Sequence, residues 1–208
     1  MRAVLFDLDN TLCHLEVDWG EYFRKVSKLF RDFPASASWE DMLKAADKRY
    51  WELPKESVTR KRLHELNLKF EFEGVEKGYV LPYARELLES LQRKAKVGIS
   101  SSNLHETIEK ALKRFQIFDY ADCMVGKQDA PSKPDAEHAL KALRLLNVEP
   151  KDAVFVGDSL SDFQCAQNAG MPFVAVLTGN GERSAFEENG VKDIARDLAE
   201  VQTILRKF

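Results

Sequence analysis

The sequence predicts an α/β fold, an open parallel sheet core with a small all-helical domain inserted after the first strand. Short apolar, β-branched runs recur at residues 3–6, 96–101, 121–125, 153–156 and 173–177. Helical periodicity fills most of the intervals between them, the pattern of βα units feeding a parallel sheet. The first interval breaks this rule, because almost ninety residues separate Phe6 from Lys96. A single crossover helix needs far fewer.

Taken in order, residues 3–6 form the first strand, which ends on Asp7-Leu8-Asp9 before Asn10 and Thr11 turn the chain. The long interval then shows three helical patterns: Trp19, Tyr22, Phe23, Val26, Leu29 and Phe30; Met42, Leu43, Ala46, Tyr50 and Trp51; and Leu63, Leu66 and Leu68. Their aromatic spacing reads as the core of a small bundle rather than a stacking platform for bases or a cofactor. The predicted division is 1–14 and 82–208 for the core and 15–81 for the helical cap. After Leu81-Pro82-Tyr83 the stretch 84–93 is the crossover helix back to the sheet, 104–115 follows the second strand as a helix, and 126–134 is the one long polar loop of the core.

Composition narrows the function. The chain has 208 residues, 44% hydrophobic and 31% charged, as in globular proteins. No run approaches the ~18 apolar residues of a membrane span, and the N-terminal apolar run breaks at Asp7 without a signal-peptide cleavage pattern, so a cytoplasmic protein with no membrane partner is expected. Cys13, Cys123 and Cys165 are odd in number and far apart, and read as reduced, structural thiols. The net charge of −3 exerts no pull on nucleic acid, and the basic run Arg60-Lys61-Arg62 reads as a solvated helix face. His14, His64, His105 and His138 have no partner at ligand spacing; the last three read as surface residues.

In a parallel α/β sheet, ligands gather at the carboxyl ends of the strands. The polar residues of this chain collect there: Asp7 and Asp9 after the first strand, Ser100, Ser101, Ser102 and Asn103 after the second, Lys133 after the third and its loop, Asp158 and Asp162 after the fourth. Carboxylates brought together repel unless a cation holds them. Oxygen donors without histidine or cysteine suit Mg2+, which is commonly held by one or two carboxylates plus a substrate phosphate. Asp7 and Asp9 are two apart on an extended segment and share a face, so both can address one phosphorus. Asp7 would attack it to form an aspartyl-phosphate; Asp9 would protonate the leaving alcohol and then activate water. Lys133 would supply a cation for the phosphoryl oxygens, and the turn at residues 100–103 would supply hydroxyl and N–H donors at the start of a helix, which the serines also cap.

Asp7-Leu8-Asp9-Asn10-Thr11-Leu12, the Ser/Asn turn, Lys133-Pro134 and Gly157-Asp158-Ser159-Leu160-Ser161-Asp162 together resemble the four ordered motifs of the haloacid dehalogenase-like hydrolase superfamily. The resemblance implies a Rossmann-like core carrying a cap like that of phosphoglycolate-phosphatase-type members. It implies a phosphatase acting on a small phosphorylated metabolite, with catalytic residues Asp7, Asp9, Ser101 and Lys133, and phosphate held by Ser101, Ser102, Asn103 and Lys133. Mg2+ would be bound by the Asp7 side chain, the Asp9 backbone carbonyl and Asp158, with Asp162 close behind. Asp158 and Asp162, four apart, would share a face of one helical turn. Asp9 favours phosphate over carbon–halogen chemistry, since a departing halide needs no proton. A phosphomutase, a dehalogenase and a non-catalytic member are the alternatives.

Overall fold

The computed structural model describes residues 1–30, 32–34, 37–179 and 181–208, with the side chains of residues 39 and 40 left aside. The chain divides into two compact units, Met1–Leu15 with Gly78–Phe208, and Glu16–Lys77.

The first unit opens with β1 (Ala3–Phe6), buried along its whole length, and β2 (Cys13–His14). β2 pairs antiparallel with β3 (Tyr79–Val80), so a two-residue ribbon stands where the sequence pattern gave no strand. Then follow α4 (Ala84–Leu91), β4 (Lys96–Ser100), α5 (His105–Arg114), β5 (Cys123–Val125), α6 (Ala136–Leu146), β6 (Ala153–Gly157), α7 (Leu160–Asn168), β7 (Phe173–Val176), α8 (Arg183–Glu188), β8 (Asp193–Ala195) and α9 (Leu198–Ile204). The intervening helices α1 (Trp19–Leu29), α2 (Trp39–Glu52) and α3 (Val58–Lys77) make up the second unit.

Six strands form one parallel sheet in the order β5-β4-β1-β6-β7-β8, giving the expected α/β, Rossmann-like fold. β8, three residues with an acid at its start, was not legible as a strand. The order reverses on either side of β1, and such a switch point opens a crevice at the carboxyl ends of the neighbouring strands. Register fixes what lies in it. Phe6 is level with Ile99 on one side and Val156 on the other, and the Asp7 N–H continues the ladder to the Val156 carbonyl at 3.0 Å. Asp7 therefore sits at the tip of a central strand. Beneath it, Leu5 and Phe155 belong to the core that also holds Phe173 and Phe186, with ring centroids 6.3 Å apart for Phe155 and Phe173 and 6.2 Å for Phe173 and Phe186.

The second unit has its own core. Tyr22, Phe23 and Val26 of α1 are buried, as are Tyr50 of α2 and Leu63 and Phe70 of α3. Phe23 stacks on Phe33 at 6.2 Å, and Tyr22 meets Phe70 edge-on at 5.8 Å while its hydroxyl donates to Asn67 Oδ1. The aromatic spacing of the sequence is thus a packing pattern. Among the described residues no helix is long and apolar enough to cross a membrane. Cys13, Cys123 and Cys165 are free thiols.

Candidate active site

The carboxyl ends of the strands deliver the chemical groups. From the end of β1 comes Asp7, from the β6–α7 turn Asp158 and from the first turn of α7 Asp162; these three buried carboxylates have oxygens within 4.8 Å of one another. From the loop before α6 comes Lys133, its side chain only 4% exposed, whose Nζ donates to Asp7 Oδ1 at 2.7 Å, to the Ser100 carbonyl at 3.2 Å and to Asp162 Oδ1. One ammonium thus bridges two of the three carboxylates, Asp7 and Asp162. Burial pushes the Asp7 carboxyl up to about 6, Lys133 works against that rise, and Asp162 adds to it. Burial alone would lower the Lys133 ammonium, but the Asp162 and Asp7 charges raise it above the usual lysine range.

Asp158 and Asp162 do not share a helix face as expected. Asp158 precedes α7, Ser159 is its N-cap, and Asp162 is the third residue of a capping box. Ser159 Oγ accepts from the Asp162 N–H at 3.2 Å, and Asp162 Oδ2 accepts from the Ser159 N–H at 3.1 Å. The reciprocal bonds fix α7 and turn Asp162 Oδ1 onto Lys133. Asp158 converges from outside the helix because the turn folds back. Gly179 makes room for it: a Cβ there would lie 1.9 Å from Asp158 Oδ2 and 2.6 Å from the Asn10 Cβ. The Gly181 N–H donates to the Asp158 carbonyl at 3.0 Å, and Thr178 Oγ1 donates to the Asn10 carbonyl at 2.6 Å.

Asp9 stands outside the three-carboxylate group. It is half-buried, and its Oδ1 accepts from the Leu15 N–H at 2.8 Å. Asp7 and Asp9 thus hold different partners despite their two-residue spacing. Thr11 Oγ1 lies 3.4 Å from both Asp7 Oδ2 and Asp158 Oδ1, tying the first motif to the last.

The three serines separate by role. Ser100 ends β4 with its hydroxyl 2.8 Å from His138 Nδ1. Ser101 Oγ donates to Asn103 Oδ1 at 2.9 Å and accepts from the Asn103 N–H at 3.3 Å, while Ser102 is half-buried. Leu104, whose own side chain cannot cap, stands at the N-cap of α5, and the His105 N–H donates to Gln128 Oε1 at 2.9 Å. Nor is His138 on the surface. It is fully buried, and burial, with the Lys133 charge nearby, pushes its imidazolium down to about 3, so the ring is neutral.

Thr11 lies within the first motif and Asp158 and Ser159 within the fourth, whereas Gly179 and His138 lie outside all four motifs. The pair Gly179-x-Gly181 after β7 was the one local signal for that wall.

A model of the haloacid dehalogenase-like hydrolases matches residues 4–176, which include Asp7, Asp9, Lys133, Asp158 and Asp162. The chain belongs to this family. A haloacid dehalogenase-like hydrolase domain-containing protein of Arabidopsis thaliana is 28% identical, over 99% of this chain and 84% of its own. A pyrophosphatase of Bacillus cereus is 27% identical over 95% of this chain and 94% of its own. Among solved structures, a hydrolase from Pseudomonas syringae superimposes with a TM-score of 0.78 at 20% identity, over 100% and 99% of the two chains. That hydrolase shares the fold of this haloacid dehalogenase-like chain.

Proposed function

We propose that this haloacid dehalogenase-like hydrolase is a Mg2+-dependent phosphatase that cleaves a small phosphorylated metabolite through an aspartyl-phosphate on Asp7. The observation that carries the reading is the Asp7 carboxylate itself: buried at a strand tip, held on Oδ1 by Lys133 and surrounded by acids. A carboxylate fixed on one oxygen presents the other to an electrophile in a set orientation. The pyrophosphatase relative supports phosphoryl chemistry.

The donor set fits a hard divalent ion. Three carboxylates cluster with one ammonium, which pairs with Asp7 and Asp162, and no histidine or cysteine is in the group, so the cluster is anionic and all-oxygen. Asp7, Asp158 and the Asp9 backbone carbonyl would hold the ion, with Asp162 behind them steadying Lys133. Bound there, Mg2+ would neutralise charge on the phosphoryl oxygens. This chain's own residues do the rest. Asp7 attacks phosphorus; Asp9 gives a proton to the leaving oxygen and takes one from water. Lys133, with the hydroxyls of Ser101 and Ser102 and the Asn103 amide, holds the phosphoryl oxygens.

Asp9→Asn tests the division of roles. With an aryl phosphate, whose leaving group needs little acid help, the variant should give a burst of phenol and then turnover slower by ~10²–10⁴. Acid quench should trap phosphate on Asp7. Label on Ser101, or wild-type turnover of alkyl phosphates by Asp9→Asn, overturns the reading. A panel of phosphorylated metabolites ranked by kcat/KM identifies the substrate.

A further inference from the structure

We propose that the corner between α2 and α3 is a second anion site, one that binds inorganic phosphate and lies wholly within the helical unit. A cavity of about 260 Å³ there is lined by Tyr50, Lys55, Arg60, Lys61, His64 and Glu65. Arg60 is its centre. It is 8% exposed, a degree of burial a guanidinium rarely reaches without a carboxylate partner. Among the described residues no carboxylate pairs with it. One of its five N–H donors goes to the Leu53 carbonyl at 2.9 Å, and its cation lies 4.5 Å from the Tyr50 ring centre and 5.8 Å from that of Trp51. These contacts hold the plane of the fork and leave donors for a ligand.

Two further observations point to an anion. The N-terminus of α3, a helix of 20 residues, meets the cavity at Arg60 and Lys61, and its first turn carries no acid to complement the positive end of the dipole. The Trp51 indole N–H, on a ring whose centre is 5.8 Å from the guanidinium, has no acceptor among the described residues; Trp51 stands next to Tyr50 of the lining without lining the cavity itself. Lys55 and Lys61 add positive charge; against it stand Glu65 in the wall and Glu56, 3.2 Å from Lys61. Cations on a rigid fork and on flexible stems together suit a multiply charged tetrahedral oxyanion better than a single carboxylate.

Calorimetric titration of the full-length, chelated protein with inorganic phosphate tests this. The expected result is saturable binding with a Kd of about 1 mM or tighter, weakened about tenfold or more by Arg60→Lys, which keeps the charge and loses the fork. Lys55→Gln, at an exposed position, should weaken it several-fold with unchanged circular dichroism. Phosphate held by the catalytic carboxylate cluster or Lys133 would not respond to either change. The absence of saturable binding, or a Kd unmoved in both variants, overturns the proposal.

Discussion

Asp7 occupies a place that favours its protonated form, and this sets a measurable conflict between activity and stability. Its carboxyl is raised to about 6 by burial, with Lys133 opposing, against an ordinary value of 3.8. Without metal, the folded protein keeps a proton on Asp7 between those values while the unfolded chain releases it, so the Asp7 contribution to stability falls as pH rises from about 4 to 6. Above pH 6 the folded state carries the full penalty. Asp7→Asn removes the charge and keeps the shape. In chelator at pH 7.5 it should therefore be more stable than wild type by on the order of 1–3 kcal/mol, and the difference should shrink toward pH 4. Urea unfolding across pH measures this; a variant less stable at every pH would contradict it. The same variant should lose turnover, since an amide is a poor nucleophile. A second residue-scale prediction concerns Gly179. An added Cβ 1.9 Å from Asp158 Oδ2 must displace that carboxylate. Gly179→Ala should raise the Mg2+ concentration for half-maximal activity by about 10–100-fold, the usual effect of disturbing a ligand's support, with folding retained. Activity against Mg2+ concentration reads it directly.

At the scale of elements, α7 links folding to the site. Its capping box holds Asp162, and Asp162 holds Lys133. Ser159→Ala removes the hydroxyl that accepts the Asp162 N–H and contacts Asp162 Oδ2 at 2.5 Å. The loss of the cap should cost about 1 kcal/mol. For a chain of this size that is a fall in Tm of about 2–4 °C. Freed from Ser159, Asp162 should place Lys133 less well, so kcat should fall more than KM rises; an unchanged kcat would separate the cap from the chemistry. Elements also mark where the sequence stops being legible. β1 and β6 could be read because each is a continuous apolar run, and β4 because Val97, Gly98 and Ile99 form a short apolar stretch between polar ends; the polar residues at their tips follow from a parallel sheet's connectivity. The β2–β3 ribbon is two residues a side, shorter than any periodicity. β8 begins with an acid and offers only Ile194 and Ala195 as apolar residues. His138 looked like a surface residue of a helix because the partner that fixes it, Ser100, lies 38 positions away. Asp162 could be read as an acid of the site, but its capping bond appears only once the α7 boundary is known.

At the scale of the whole molecule, folding gathers charges that the unfolded chain keeps apart. The net charge is only −3, yet the core unit concentrates three carboxylates and one ammonium in a buried volume. Like charges in such a place work against the native state, and any cation bound by the folded form alone works for it. The proposed Mg2+ site lies entirely in residues of the core unit, so its binding energy should appear as stability of that unit. Thermal unfolding in rising Mg2+ should therefore shift Tm upward continuously, with no plateau at saturation, and at 100 times Kd the gain should be about 2.7 kcal/mol. Asp158→Asn should abolish most of the dependence. Because it also relieves repulsion, it should start from a chelated Tm no lower than that of wild type. Ca2+ offers the control: as a larger ion with looser geometry, it should stabilise the fold without supporting equal turnover. A Tm insensitive to Mg2+ in the wild type, or equally sensitive in Asp158→Asn, would place the ion elsewhere. The buried carboxylates at the strand tips would then need another counter-charge.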